Sequence, residues 1–124
     1  IKGMEDLVLF LGPKNEKQLK NLYSGALATI MPSHYESFGM VALEAMACGT
    51  PVVVSNVSSF PEVVGDAGIL VDPNNVDEIT VGMWRALSDS KLRECLIEKG
   101  LKRAATFSWD KAAAETLELY HSLA

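Results

Sequence analysis

Four short runs of the chain are apolar at nearly every position: Leu7-Val8-Leu9-Phe10-Leu11, Thr29-Ile30-Met31, Pro51-Val52-Val53-Val54-Ser55 and Gly68-Ile69-Leu70-Val71. A strand with one wet face alternates polar and apolar residues, so runs without alternation predict strands covered on both faces. Helical segments lie between these runs, and strands joined through helices form parallel sheets with right-handed crossovers. The expected fold is therefore α/β and Rossmann-like, with about four parallel strands, helices on both faces and three layers.

Local signals place the elements. Gly12-Pro13 closes the first run. Asn15 followed by Gln18 has capping-box spacing, and Leu19, Leu22, Tyr23 and Ala26 then recur at helical intervals. Residues 38–48 read as a helix that ends with Gly49 at C′. That helix is apolar around nearly its whole circumference, which predicts burial, and Glu44 is its one charge. Pro61-Glu62-Val63-Val64 predicts one short helical turn.

After Asp72-Pro73 the chain is expected to be wholly helical. A helix capped by Asn75, with Glu78 three residues on, carries Ile79, Met83, Ala86 and Leu87 on one face. Residues 90–105 form the next, with Leu92, Leu96 and Ala104 at core positions. The last begins after Ser108, a capping side chain, and should turn Ala113, Leu117 and Tyr120 inward. Tyr23, Trp84, Phe107 and Trp109 are expected as core anchors rather than ligand-stacking platforms, and His121 as exposed.

With 124 residues, 48% of them hydrophobic and 22% charged, residues 1–124 have room for one globular domain. Eleven basic against sixteen acidic side chains give a net charge of −5, which argues against nucleic acid as a partner. Cys48 and Cys95 lack metal-ligand spacing and read as small buried thiols of a cytoplasmic protein. No apolar run approaches the roughly 18 residues of a membrane span. The chain opens on Ile1 rather than Met, which predicts a piece of something longer.

In doubly wound sheets ligands bind beyond the carboxyl ends of the strands, which here selects loops 12–15, 33–39, 56–60 and 72–75. Loop 33–39, Ser33-His34-Tyr35-Glu36-Ser37-Phe38-Gly39, runs straight into the apolar helix. Gly39 would let a phosphate approach the helix amides, although a tight turn also selects glycine. A buried Glu44 is costly unless paired, so it accepts bonds from nearby protein groups or from ligand hydroxyls. Glu36 is either a solvated loop charge or a site residue. No nucleophile-elbow motif or P-loop is present.

The segment Pro32-Ser33-His34-Tyr35-Glu36-Ser37-Phe38-Gly39-Met40-Val41-Ala42-Leu43-Glu44-Ala45-Met46-Ala47-Cys48-Gly49-Thr50-Pro51-Val52-Val53 resembles the signature of family 4 glycosyltransferases, with its Glu-x7-Glu spacing met by Glu36 and Glu44. Val8-Leu9-Phe10-Leu11-Gly12, Leu22-Tyr23, Pro61-Glu62-Val63-Val64, Gly68-Ile69-Leu70-Val71-Asp72-Pro73 and Phe107-Ser108-Trp109 extend the resemblance over almost the whole chain. It implies the C-terminal, donor-binding half of a two-domain GT-B enzyme that transfers sugar from a nucleotide-diphosphate donor with retention of configuration.

By that resemblance Glu36 contacts donor-sugar hydroxyls near the reacting carbon, and Glu44 the ribose. Ser37 belongs to the same donor-binding loop. Amides of Phe38 and Gly39 would hold the sugar, those of Met40 and Val41 the diphosphate, and the loop Gly12-Pro13-Lys14 the base. The family signature requires no histidine at His34. No cofactor or metal is implied, since Asp-x-Asp is absent and the architecture is metal-independent. The donor is a UDP-, GDP- or ADP-sugar, and the acceptor a glycan, lipid or small molecule.

The family's acceptor domain, and an Arg and a Lys for the diphosphate, would precede this chain. So would two strands separating residues 7–11 from residues 29–31. The isolated chain is then expected to re-pair those strands, swap them with a second copy as a homodimer, or leave a gap. It is expected to be inactive alone. Peripheral attachment to the inner face of the membrane would belong to the full enzyme. The alternative is a non-catalytic Rossmann-like binding or assembly module.

Overall fold

A computed structural model describes residues 3–123, so the ends of the domain expected over 1–124 lie outside the described residues. Three strands form one parallel sheet in the order β1-β2-β3: Thr29–Met31, Val52–Ser55 and Ile69–Val71. Ile30 stands opposite Val53, and Val54 opposite Leu70. The period of two along each strand divides the core between the sheet's faces. Val52 and Val54 pack with Phe60, Val63 and Val64 on one face, while Val53, Ile69 and Val71 meet Ala86 and Leu96 on the other.

The described residues form six helices: α1 (Glu16–Gly25), α2 (Met40–Ala47), α3 (Phe60–Val64), α4 (Val76–Ser88), α5 (Ser90–Ala104) and α6 (Trp109–Ser122). Their ends follow the expected side chains. Asn15 and Gln18 close a reciprocal capping box, and Asn75, Asp89 and Ser108 cap α4, α5 and α6. At the end of α2 the Gly49 amide donates to Met46 and the Thr50 amide to Ala45, a Schellman closure with Gly49 at φ 76°. Gly82 lets α4 lie directly on the sheet: a Cβ there would stand 2.9 Å from Val71 Cγ1 and 3.1 Å from Val53 Cγ1.

Several expectations are corrected. Residues 7–11 do not form a strand: a 3₁₀ turn at Glu5–Leu7 leads into unpaired chain, with Leu9 79% and Phe10 89% exposed. A strand exists only as one side of a ladder, and among the described residues nothing pairs with this run or with the outer edge of β1. Among the described residues the sheet therefore ends at β1, with three strands rather than four. Helix α2 is buried along one face only, through Ala42, Leu43, Ala45 and Met46, and leaves Glu44 exposed.

Helix α6 buries no residue, because no described element covers its apolar stripe. Leu117 and Tyr120 therefore face outward, with Trp109 80% exposed at the start of the helix. Trp84 is likewise 69% exposed, whereas Tyr23 and Phe107 do pack against the core as expected. Cys95 is exposed and Cys48 partly buried, so neither is the fully buried thiol that the composition predicts; both are free. No helix among the described residues is long and apolar enough to cross a membrane.

Candidate functional site

The carboxyl ends of β1, β2 and β3 open onto loops 33–39, 56–59 and 72–75, and hydrogen bonds tie these loops to one another. Ser55 Oγ donates to the Ser33 carbonyl at 2.6 Å, and the Asn56 amide to the Val71 carbonyl at 2.8 Å. Loop 33–39 is held most firmly at Glu36. Ser58 Oγ donates to the Glu36 carbonyl at 2.6 Å and accepts from the Glu36 amide at 3.3 Å. Ser59 Oγ donates to the same carbonyl at 3.0 Å.

Gly39 is buried and serves as the N-cap of α2 at φ 100°, where no side chain caps the helix. Two constraints select glycine there. The φ is one that side chains disfavour, and a Cβ would stand 3.1 Å from the Phe60 ring. Met40 and Val41, the first helical residues, are 40% and 37% exposed, and no side chain caps the amides of this first turn.

One turn further along, Glu44 shares this exposed face. The Tyr23 hydroxyl, reaching across from α1, donates to Glu44 Oε2 at 3.3 Å. Partial burial, and then the neighbouring Glu44 charge, push the Tyr23 phenol above the usual tyrosine range. Glu44 also lines a cavity of about 270 Å³ with Phe38, Met40, Leu43, Phe107 and Trp109. Its apolar walls and single carboxylate suit a ligand that has a flat apolar part and hydroxyls. Glu36 does not line this cavity.

A second set of contacts braces Phe38. Its ring meets Phe107 edge-on with centroids 6.1 Å apart, and the Arg103 guanidinium lies 5.0 Å from the Phe107 centroid. Arg103 donates in turn to the Val63 carbonyl at 2.9 Å and the Glu62 carbonyl at 2.5 Å, closing the end of α3. Ser37, exposed, lines a neighbouring groove with Arg103 and Lys111.

The structure thus brings Glu36, Ser37, Phe38, Gly39, Met40, Val41 and Glu44 onto the open end of α2 and the loop before it. The segment Gly12-Pro13-Lys14 stands apart: Lys14 Nζ folds back onto the Leu11 and Pro13 carbonyls, and no hydrogen bond joins it to loop 33–39 among the described residues. It approaches the site only through α1, which packs on α2. His34 is exposed and His121 lies exposed on α6.

Sequence reasoning selected loop 56–60 without singling out Ser58, Ser59 or Phe60 within it, and it missed Arg103. Serines before a proline turn carry no signal that distinguishes them from ordinary loop residues. Arg103 looks like one more basic residue in the last turn of a helix. The positive φ of Ser58, 61°, is invisible in sequence because nothing but glycine advertises it.

A short parallel sheet covered by helices, with a glycine-capped helix beyond its strand ends, defines a Rossmann-like half-domain. The comparisons with known proteins make the class particular: residues 2–103 match the sequence model described as "Glycosyl transferases group 1", and the chain belongs to that family. Its fold is that of the C-terminal domain of GT-B glycosyltransferases.

The chain is similar to O-antigen chain mannosyltransferase B of Escherichia coli, with 44% identity over 96% of this chain and 31% of that protein. It is 46% identical to an uncharacterized glycosyltransferase of Methanocaldococcus jannaschii, over 95% of this chain and 31% of that protein. A D-inositol 3-phosphate glycosyltransferase of Streptomyces bingchenggensis is 39% identical over 95% of this chain and 26% of its own length. Among solved structures, a sucrose-phosphate synthase from Thermosynechococcus elongatus superposes with a TM-score of 0.86 at 35% identity, over 97% of this chain and 31% of that one. The chain therefore spans under a third of the length of these relatives.

Proposed function

We propose that this chain is the donor-binding part of a retaining glycosyltransferase that uses a UDP-, GDP- or ADP-sugar. One observation carries the reading: the glycine-opened end of α2 exposes Met40 and Val41, and Glu44 follows one turn later beside an apolar cavity. Amides at a helix N-terminus attract a diphosphate, and a carboxylate one turn away accepts from two neighbouring ribose hydroxyls. Names of the relatives, a mannosyltransferase and a D-inositol 3-phosphate glycosyltransferase among them, support sugar transfer as the reaction class.

In this reading the amides of Phe38 and Gly39, with Ser37 beside them, meet the donor sugar. Glu36 steers its hydroxyls near the reacting carbon, and the segment Gly12-Pro13-Lys14 meets the base. No metal takes part; helix amides and basic side chains of the full enzyme meet the leaving-group charge. The acceptor hydroxyl attacks on the face the leaving phosphate vacates, and that phosphate takes up its proton. The acceptor, a glycan, lipid or small molecule, binds on a second domain, so this chain alone does not transfer sugar. The whole enzyme works in the cytoplasm.

Titration of the chain with UDP, GDP and ADP, followed by amide NMR, tests this reading. Saturable shifts centred on residues 38–44, strongest for one nucleotide, are expected. A well-dispersed spectrum that no nucleotide perturbs would overturn donor binding by this chain and leave the rival, a non-catalytic assembly module. That rival should show no nucleotide binding even in a polypeptide of the relatives' length.

A further inference from the structure

Glu36 lies in a loop without regular structure, where the aim of a side chain depends on how its own backbone is held. Here both backbone groups of Glu36 are bonded by one side chain 22 residues away: Ser58 Oγ donates to its carbonyl and accepts from its amide. A hydroxyl has one proton and two lone pairs, so it can do both at once. The pair of contacts is what a neighbouring strand residue would supply through its own N–H and C=O. Ser59 Oγ adds a second donor to the carbonyl.

Ser58 reaches this position in the left-handed region, at φ 61°, and among the described residues it is the sole non-glycine residue with positive φ. Glycine would adopt that backbone without steric penalty. What glycine lacks is the hydroxyl. Strain of this kind persists where the surrounding structure over-determines it. Its neighbours on the chain tie it down from both sides: Ser55 ends β2 and holds the Ser33 carbonyl, and Phe60 packs under Gly39.

We propose that Ser58 is a positioning residue for Glu36, its hydroxyl fixing the Glu36 peptide groups so that the carboxylate is aimed at the donor. The left-handed conformation is kept for that hydroxyl. The inference rests on the donor-site reading above and names what sets the geometry of that site.

Two variants separate the hydroxyl from the backbone strain. Ser58→Gly removes both, and Ser58→Ala removes the hydroxyl alone. In the full-length enzyme both are expected to lower kcat by about 10-fold or more with donor KM changed less than about 2-fold, since small misplacements at a reacting centre act on turnover. Ser58→Gly should stay folded, its relief of backbone strain offsetting part of the lost bonding, whereas a purely structural role would not lower kcat in a folded enzyme with donor KM held. Ser58→Gly that keeps kcat within about 2-fold of the parent would overturn the proposal.

Amide hydrogen exchange on this chain gives a readout independent of turnover. The Glu36 amide should exchange about 10-fold faster in Ser58→Gly while the amides of β2 stay unchanged. If the parent transfers no sugar from any donor, the donor-site reading fails, and the aiming role falls with it even where Glu36 exchange does accelerate. Unchanged Glu36 exchange would overturn the positioning role whatever the activity.

Discussion

The Tyr23 hydroxyl on α1 donates to the Glu44 carboxylate on α2 at 3.3 Å, so two helices that share no sequence motif meet at the open face of the candidate site. Burial and the Glu44 charge raise the Tyr23 pKa above its ordinary value of 10.0. The sign follows: the neutral phenol supports the fold in full below about pH 10, and that support is lost as pH rises through the elevated value. Tyr23→Phe should lower stability at neutral pH by less than about 1 kcal/mol, because the bond is solvent-accessible. Urea unfolding above pH 10 should show the parent losing stability faster than Tyr23→Phe.

Glu36 and Glu44 are expected to act on different kinetic constants. In the full-length enzyme Glu44→Ala should weaken nucleotide binding by about 10-fold, the worth of a charge-assisted hydrogen bond. On the proposed donor-site reading, Glu36→Ala should lower kcat by about 100-fold with little change in donor affinity, as for a group that acts more on the transition state than on the bound donor. Steady-state kinetics with the two effects reversed would refute the assignment.

Gly39→Ala should destabilise the chain by about 2–3 kcal/mol, combining a disfavoured positive φ with crowding against an aromatic ring. The ring is that of Phe60, 3.1 Å from the Cβ position. Phe60→Leu, costly by itself because Phe60 is buried in the core, should cost less in the Gly39→Ala background than in the parent. Equilibrium urea unfolding reads both, and a neutral Gly39→Ala would contradict the left-handed cap.

Arg103 holds α3 and Phe107 together through a planar fork that lysine cannot copy. Arg103→Ala should lower stability by about 1–3 kcal/mol, and Arg103→Lys should recover less than half of that. Full recovery by lysine, measured by thermal unfolding, would show that charge alone matters.

The run at residues 7–11 is largely exposed, and among the described residues β1 has an unpaired edge, a combination that favours association of copies. Sedimentation of the isolated chain should show concentration-dependent self-association. Leu9→Lys with Phe10→Lys should restore a monomer and, at concentrations where the parent is also monomeric, leave Tm unchanged, because neither side chain is buried. A fall in Tm on this double substitution would mean that the run does pack in solution.

Much of the architecture was legible in the order of residues. Three of the four apolar runs are strands, the caps at Asn15, Asn75 and Ser108 hold, and Gly49 closes α2 where expected. Helix starts and stops are local events, decided by hydrogen bonds within four or five residues. The Glu36 and Glu44 spacing and the glycine before α2 were legible for the same reason, since one loop and one helix turn carry them. Residues 7–11 were misread because apolarity reports a tendency toward burial, not the existence of a partner.

What the sequence determined by itself is therefore the class: short apolar strands alternating with capped helices, and a glycine-opened helix after the first paired strand. Tertiary structure alone decided which groups meet. Ser58 reaches Glu36 across 22 residues, Tyr23 reaches Glu44 across 21, and Arg103 reaches Val63 across 40. It also decided that Glu44 stands in the open and that α6 leaves its apolar stripe uncovered. The physical reason is range. Backbone preference and capping act between neighbours in the chain, whereas burial and side-chain hydrogen bonds depend on what the fold sets beside them.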